Sequence, residues 1–340
     1  MSLGAGLVSV IVVNWNGLEY VPECIDSVLR QRYGNTELIV VDNASTDGSL
    51  EWLRTRPSIG LIELERNTGF AGGVNAGVQS SRGELVALLN SDAVAETDWL
   101  ENLVAETSDP AVGMVASKIL FYDRRDVIDK AGHLLYPDGL NRGRGAGETD
   151  RGQFDVAGEA LFPDGCAALY RRSMLDDVGL FDEQFFAYGD DPDLGMRARW
   201  RGWRGRYAPG ARVYHRHSSS LGKYSPRKAF LVERNRVWLA FKLFPLPLLA
   251  LTPFLTLWRF CWHARSIVSR RGLAGGVARE HSAARLFYSL VRAYASAAAG
   301  LPQILSKRRQ VFARRKLSNR EFYRLLRSFR IPARELALRD

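Results

Sequence analysis

The sequence predicts an α/β fold built on a mostly parallel, twisted sheet flanked by helices. Three observations carry that expectation. Strand-like runs rich in Val, Ile and Leu alternate with helix-like stretches through residues 7–92. Each run stops at a polar tip. The run from Leu85 to Leu89 is continuously apolar, as a strand covered by helices on both faces must be.

Taken in order, Leu7 to Val13 reads as the first strand, ending in Asn14-Trp15-Asn16-Gly17. A helix follows, with Tyr20, Ile25, Val28 and Leu29 on one face and Pro22 in its first turn. Thr36 to Val41 is the second strand, ending in Asp42-Asn43, and a turn over Ala44 to Gly48 leads into a helix near Ser49 to Arg54. Ile59 to Leu64 is the third strand. The glycine-rich stretch from Asn67 to Gly77 opens a helix to about Ser81, and Glu84 to Leu89 is the fourth strand. This β-α-β-α-β-α-β order predicts right-handed crossovers, with Asn14, Asp42, Asn67 and Asp92 along one sheet edge. Ligands of open α/β sheets bind beyond that edge. A carboxylate such as Asp92 suits a divalent cation carrying a diphosphate, because hard cations take oxygen ligands. An Asx turn would end the strand equally well. The first strand is not followed by GxGxxG, and no GxxxxGK[ST] occurs, which argues against dinucleotide and P-loop sites.

The chain has 340 residues, room for one large or two ordinary domains. Its formal net charge of +10 points to an anionic partner: nucleic acid, phospholipid or a phosphorylated substrate. Cys24, Cys166 and Cys261 are widely spaced with no CxxC, which argues against a disulfide framework or zinc site and fits a reducing cytoplasm. Met1 to Gly6 lacks the charged start of a signal peptide.

Val10-Ile-Val-Val-Asn-Trp-Asn-Gly17, Val40-Val-Asp-Asn-Ala-Ser-Thr-Asp-Gly48, Asn67-Thr-Gly-Phe-Ala-Gly-Gly-Val-Asn75 and Asn90-Ser-Asp92 follow one another in order. Together they resemble the inverting glycosyltransferases of family 2, with the GT-A fold, and within it the rhamnosyltransferase-type branch. The resemblance runs from residue 7 to about 240. It implies that Asp42 contacts a pyrimidine base, a role compatible with capping the next turn. It places Asn14 and Asn16 at the nucleoside, where both also suit turn formation. It sets Gly69, Gly73 and Asn75 along the donor, although the glycines also suit helix-to-sheet packing. Asn90-Ser91-Asp92 takes the family's Asp-x-Asp position with Asn for the first Asp. That leaves Asp92 to hold Mg²⁺ or Mn²⁺, with help from the Asn90 amide.

In the middle of the chain, Val112 to Phe121 reads as one or two strands. Residues 122–154 read as a long mobile loop or hairpin near the acceptor. Phe162 to Arg172 resembles the family segment beneath the active site and precedes a short helix, Ser173 to Val178. Tyr188-Gly-Asp-Asp-Pro-Asp-Leu-Gly-Met-Arg197 then opens a helix to about Arg201, with Pro192 in its first turn. Acids in a first turn are welcome electrostatically, yet three packed together repel one another, which raises a carboxyl pKa. The resemblance implies that Asp191 is the general base, with Asp190 the alternative and Asp193 an orienting residue beside Arg197. A strand over Arg212 to Tyr214 ends in His215-Arg-His217. The resemblance implies that His215 completes the metal site beside Asp92 or touches the diphosphate, and imidazole suits Mn²⁺ better than Mg²⁺. His217 reads as a surface residue. Residues 218–224 read as a basic loop, with Lys223 and Arg227 as phosphate contacts.

The organisation expected is a catalytic domain over residues 1–240 and a helical, basic, partly apolar region over 241–340. Leu243 to Trp258 is apolar but interrupted by Pro245, Pro247 and Pro253, and shorter than the roughly 20 residues a membrane span needs. It reads as an interfacial or re-entrant element or a packing surface. Lys307, Arg308, Arg309, Arg314, Arg315 and Lys316 form a basic cluster, and Ser318 to Glu321 is a capping box. After it, Phe322, Leu325, Leu326 and Phe329 oppose Arg320, Arg324 and Arg327, as in a helix lying on an anionic membrane or packed on the core. No motif supports nucleic-acid binding. The expected protein is a cytoplasmic glycosyltransferase, peripheral at the inner face of the membrane and able to form a homodimer through its apolar C-terminal region. It moves a sugar from a nucleotide-diphosphate donor, dTDP-rhamnose or a UDP-sugar, to a glycan or polyprenyl-linked acceptor. A non-catalytic sugar-nucleotide-binding scaffold is the competing reading. A nucleotidyltransferase would need a glycine-rich basic first loop that this chain lacks.

Overall fold

The computed structural model describes residues 6–217, 225–269 and 282–338. The first half follows the expected alternation: β1 (Val8–Asn14), α1 (Val21–Leu29), β2 (Thr36–Asp42), α2 (Ser49–Arg54), β3 (Gly60–Glu63), α3 (Gly69–Ser80) and β4 (Leu85–Asn90). After it come β5 (Ala93–Ala95), α4 (Trp99–Ala105), β6 (Val112–Phe121), β7 (Ile128–Ala131), β8 (His133–Leu135), β9 (Asn141–Gly143), β10 (Gly158–Glu159), β11 (Ala167–Arg171), α5 (Arg172–Val178), α6 (Asp190–Trp200) and β12 (Arg204–His215). The main sheet runs β10-β12-β6-β11-β4-β1-β2-β3, with β5 on β12 and β7 on β6. It is parallel from β4 to β3 and between β6 and β12; β11 enters antiparallel between β4 and β6.

Alternation along the strands builds a core on each face, because successive side chains point to opposite sides. Ile11, Ile39, Val41, Val86 and Leu88 pack against α3, α5 and α6. Val10, Val12, Val40, Ala87 and Leu89 pack against α1 and α4. The parallel register opposes Asn14 to Asp42, Val13 to Asn90 and Asp42 to Glu63, which brings the polar tips to one edge.

Of the two readings of residues 122–154, the hairpin holds and the loop does not. These residues form β7, which extends the sheet, and the β8–β9 hairpin. Lys118, buried in β6, holds the segment down through Asp150 at 2.5 Å and Asp155 at 2.6 Å. A fully buried ammonium is stable only when paired in this way.

The C-terminal region consists of α7 (Pro226–Leu243), α8 (Leu246–Ser269), α9 (Ala283–Ala313), α10 (Asn319–Ser328) and α11 (Ala333–Leu338). Ser225 caps α7, whose first turn contains Pro226. The capping box at Ser318 and Glu321 starts α10. The apolar face of α10 is buried on the catalytic half rather than offered to a membrane: Phe322 stacks on Trp200 at 4.6 Å with 7° between the rings. The basic cluster is partly turned inward as well. Lys307 reaches Asp182, Arg308 donates to the carbonyls of Phe241 and Phe244, and Arg314 pairs with Asp177. The expected loop at 218–224, with Lys223, lies outside the described residues. Arg227 stands over the Phe186 ring at 5.8 Å.

Phe322→Ala removes a fully buried ring from the seam between α10 and α6 and should cost about 3–5 kcal/mol of unfolding free energy. Denaturant unfolding measures this. A loss below about 1 kcal/mol would mean that α10 folds apart from the core.

Candidate active site

The loops after β1 and β2 are tied together at the sheet edge. Asn14 is buried, and its amide donates to Asp42 Oδ1 at 3.0 Å and to the hydroxyls of Ser45 and Ser49. Asp42 Oδ2 accepts the Ser45 N–H at 2.9 Å, so this carboxylate caps its own turn. Asn16 accepts the Thr46 N–H at 2.7 Å. Asn14 Oδ1 is buried, and no described group donates to it.

The start of α3 is pinned to the segment ahead of α6. Gly69 has φ of +75°, and a Cβ there would lie 2.3 Å from the Phe186 carbonyl oxygen, so the contact requires glycine. Phe70 N–H donates to that carbonyl at 2.8 Å. A Cβ on Gly73 would lie 2.6 Å from Val13, which seats α3 on β1. The Asn75 amide donates to the Phe181 carbonyl and accepts the Phe181 N–H. The lack of a side chain at Gly73 and the Asn75 amide both serve packing in this structure.

Three acids open α6, and their surroundings separate them. Asp193 is buried and balanced by Arg197 at 2.8 Å and Lys242 at 2.6 Å. Lys242 also meets Asp182, which in turn holds Lys307. Asp190 is buried with Oδ2 meeting no described donor. Asp191 lies against Gly165, where a Cβ would come within 2.5 Å of its carboxylate. Burial pushes the Asp191 carboxyl well above its ordinary range, and Asp190 and Asp164 push the same way; the Gly165 N–H and Lys130 oppose them. Burial likewise raises Asp190, helped by Asp164 and Asp193.

Asp92 and His215 meet at the neighbouring strand ends, with Asp92 Oδ1 at 3.3 Å from His215 Nε2. His215 Nδ1 lies 3.0 Å from Asp129 Oδ2, and His217 Nε2 lies 2.9 Å from the same oxygen. His217 is therefore not a plain surface residue: it joins this cluster and stands 4.1 Å from the His215 ring. One ligand atom each from Asp129, His215 and His217 fall within 4.8 Å of one another. Burial alone would lower the His215 pKa, but the Cys166 thiol and hydrogen bonds to Asp129 and Asp92 outweigh it and raise it well above normal. A place that favours an imidazolium between carboxylates is built for positive charge. Its carboxylate and imidazole donors fit Mn²⁺ or Mg²⁺, the former better.

Lys130 joins the two clusters, with its ammonium 2.8 Å from Asp164 and 3.7 Å from Asp129. Asp164 also takes His133 at 2.9 Å. Gly165, next to Asp164, lies against Asp191, and Asp129 lies against His215, so the Lys130 bridge sets the α6 acids and the strand-tip cluster on one site. Among the described residues, the non-glycine positions with positive φ are Asn16, Ala44, Phe186, Tyr188 and His217, all in segments around this site. Strained backbone of this sort collects where function holds it. Asp129, Lys130 and Asp164 escaped sequence reasoning. Asp164 stood in a segment already singled out, but Asp129 and Lys130 lay in what read as a loop or hairpin. A separate cleft of about 260 Å³ lies behind α6, lined by Asp177, Arg201, Lys242, Lys307 and Arg314 among others, and contains none of the strand-tip groups.

The chain is 32% identical over 237 residues to an uncharacterised protein of Sinorhizobium fredii, a match covering 64% of this chain and 25% of that one. It is 27% identical to the O-antigen biosynthesis protein RfbC of Myxococcus xanthus, over 70% of this chain and 19% of the relative. It is 29% identical to the pre-mycofactocin glycosyltransferase of Mycobacterium tuberculosis, over 57% of this chain and 40% of the relative. The chain thus spans less than half the length of each of these relatives. Among solved structures, GalNAc-T7 with UDP, GalNAc and Mn²⁺ aligns over 71% of this chain and 48% of its own, with TM-score 0.57 and 17% identity. The Pyrobaculum calidifontis mannosyltransferase PcManGT, solved with GDP-Man and Mn²⁺, aligns over 92% of this chain and 86% of its own, with TM-score 0.52 and 20% identity. These two likenesses concern the fold, a GT-A sheet with its flanking helices. The model of glycosyl transferase family 2 matches residues 9–179, half of the chain, and the chain belongs to that family.

Proposed function

We propose that this chain is an inverting, metal-dependent glycosyltransferase that moves a sugar from a nucleoside diphosphate to a hydroxyl. One observation carries the reading: Asp190, buried, and Asp191, half-buried against Gly165, both hold protons more tightly than ordinary carboxyls, and Lys130 ties the Asp164–Gly165 turn beside them to the cluster of Asp129, His215 and Asp92. A base with a raised pKa and a cradle for positive charge are the two things displacement of a diphosphate requires.

The nucleoside would lie over Asn14, Asn16 and Asp42, with the orphaned Asn14 Oδ1 open to a donor on the ligand. The phosphates would follow the Gly69–Gly73 backbone toward Asn90 and Asp92. Asp92 and His215 would hold the Mg²⁺ or Mn²⁺, with Asp129 fixing the imidazole through Nδ1 and His217 alongside. Bound there, the ion would offset charge on the departing diphosphate. Asp191 accepts the proton of the acceptor hydroxyl while its oxygen bonds to the anomeric carbon. The bond to the diphosphate breaks on the opposite face, so the configuration inverts. Asp190, its neighbour, keeps the Asp191 carboxylate basic. The O-antigen biosynthesis relative supports an acceptor in surface polysaccharide synthesis, a glycan or its polyprenyl-linked form. The bound UDP and GDP-mannose of the structural neighbours support a nucleotide-sugar donor. The rhamnosyltransferase-like motifs favour dTDP-rhamnose over other sugars.

Asp191→Asn should lower kcat by about 10²–10⁴-fold while donor binding, followed by calorimetry, stays close to wild type. Full turnover in that variant would remove Asp191 as base. The active form of Asp191 is the anion and its pKa is raised, so kcat/KM should fall as pH drops through a limb above the ordinary carboxylate value of about 4. A limb at or below that value would contradict the assignment. Asp92→Ala should weaken Mn²⁺ and donor together in the same calorimetric assay, and Asp129→Asn should reduce Mn²⁺ affinity by about 10–100-fold. Unchanged Mn²⁺ affinity in both would place the ion elsewhere, and a wild-type chain that binds donor yet never consumes it would be a scaffold.

A further inference from the structure

The helix α8 is amphipathic the wrong way round for a helix facing water. Thr252, Thr256, Arg259, His263 and Ser266 recur at helical spacing and point inward. Arg259 is fully buried, 2.7 Å from Asp138 and 2.7 Å from Glu233, and Thr256 donates to Asp138 at 3.1 Å. Burial holds His263 far down, at about 4, so it stays neutral. The opposite face is apolar and open. Phe254 is 72% exposed, Leu257 64% and Trp258 56%, with Leu246 and Leu251 exposed beside them. Soluble helices keep charge outside and apolar groups inside. The reverse arrangement belongs to helices whose outer face meets lipid, where ionisable groups turn toward the protein.

The helix α9 continues the pattern. Ala293, Ala297 and Ile304 are buried, while Phe287, Tyr288 and Val291 are exposed. Neither α8, with 24 residues, nor α9, with 31, contains a single Asp or Glu. Exposed cations on these helices are Arg265, Arg285, Arg292 and Arg309, and Arg292 lies near the Phe230 and Tyr288 rings. No described helix is long and apolar enough to cross a membrane.

We propose that the outer faces of α8 and α9 dock the protein on an anionic bilayer, with Phe254, Leu257 and Trp258 entering the boundary between headgroups and acyl chains and the arginines meeting lipid phosphates. The basic helix α10, which carries the obvious amphipathic signature, does not take this role, because its apolar face is closed over Trp200. Helices lying in the interface bury their apolar face by about 5–10 Å. Apolar contact and anionic headgroups act together here, since each cation near such a surface adds to the attraction. The inference is independent of the transfer reaction, because neither helix supplies a residue to the strand-tip site.

Flotation of the full chain with vesicles tests it, without donor or acceptor. Vesicles of phosphatidylcholine with phosphatidylglycerol should carry the protein upward at least 10-fold better than phosphatidylcholine alone. The pair Leu251→Asp and Phe254→Asp should abolish flotation, and Arg265→Glu with Arg285→Glu should erase the preference for phosphatidylglycerol. Both pairs lie on exposed positions, and an unchanged melting curve reports that they fold. Brominated lipids should quench wild-type tryptophan fluorescence more than that of Trp258→Phe, which tests the same contact without adding charge. Absence of flotation and quenching in the wild type overturns the proposal. So does light scattering that shows a wild-type dimer, broken by the aspartate pair, with vesicle binding unchanged; that face would then join two copies of the chain.

Discussion

The site depends on the ion pair between Lys130 and Asp164. Lys130 comes from β7, Asp164 from the turn before β11, and Asp129, next to Lys130, orients both His215 and His217. Several carboxylates converge here with little water to screen them, and like charges so close would drive one another to protonate or the segments apart. A single ammonium between Asp164 and Asp129 balances the group. It also fixes the turn containing Gly165, against which Asp191 rests. The chain segment that read as a loop or hairpin is therefore the part that joins the α6 acids to the Asp92–His215 cluster.

The C-terminal helices serve the same end from behind α6. Asp193 shares the first turn of α6 with Asp190 and Asp191, yet α6 and α7 give it Arg197 and Lys242. The chain of pairs continues through Asp182 to Lys307 on α9. Breaking a buried pair of this kind leaves an uncompensated charge, typically at about 3–5 kcal/mol. The helices beyond residue 240 are thus bound to the catalytic half by buried charge as well as by the Trp200–Phe322 stack.

The legible part of the sequence was the local part. A strand run that ends in Asn or Asp predicts its own tip, and parallel order predicts that the tips share an edge. The capping box of α10 was likewise readable from four residues. What that helix packs on was not, because Trp200 lies more than a hundred positions away and periodicity marks a face without naming its partner. Asp129 and Lys130 were hidden for a related reason. They sit on a four-residue strand whose alternation is too short to read, and their meaning comes from His215 and Asp164 across the fold. The α8 run was legible in part: its apolar residues were visible, but the inward polar stripe gains meaning only from Asp138 and Glu233.

The α6 turn shows how one local structure yields different chemistry. A helix N-terminus favours anions, and that field acts on all three acids alike, so it cannot separate them. Neighbours do. Asp193 has two cations in contact, which leaves it a fixed anion that holds α6 to α7. Asp190 and Asp191 have mainly each other and Asp164 for company, so burial and repulsion make them hold protons more tightly. Moving either cation to Asp191 would stabilise its anion and weaken it as a base. The compensation of Asp193 and the lack of compensation at Asp191 are therefore one arrangement, and the first keeps the turn folded while the second leaves a carboxylate able to take a proton.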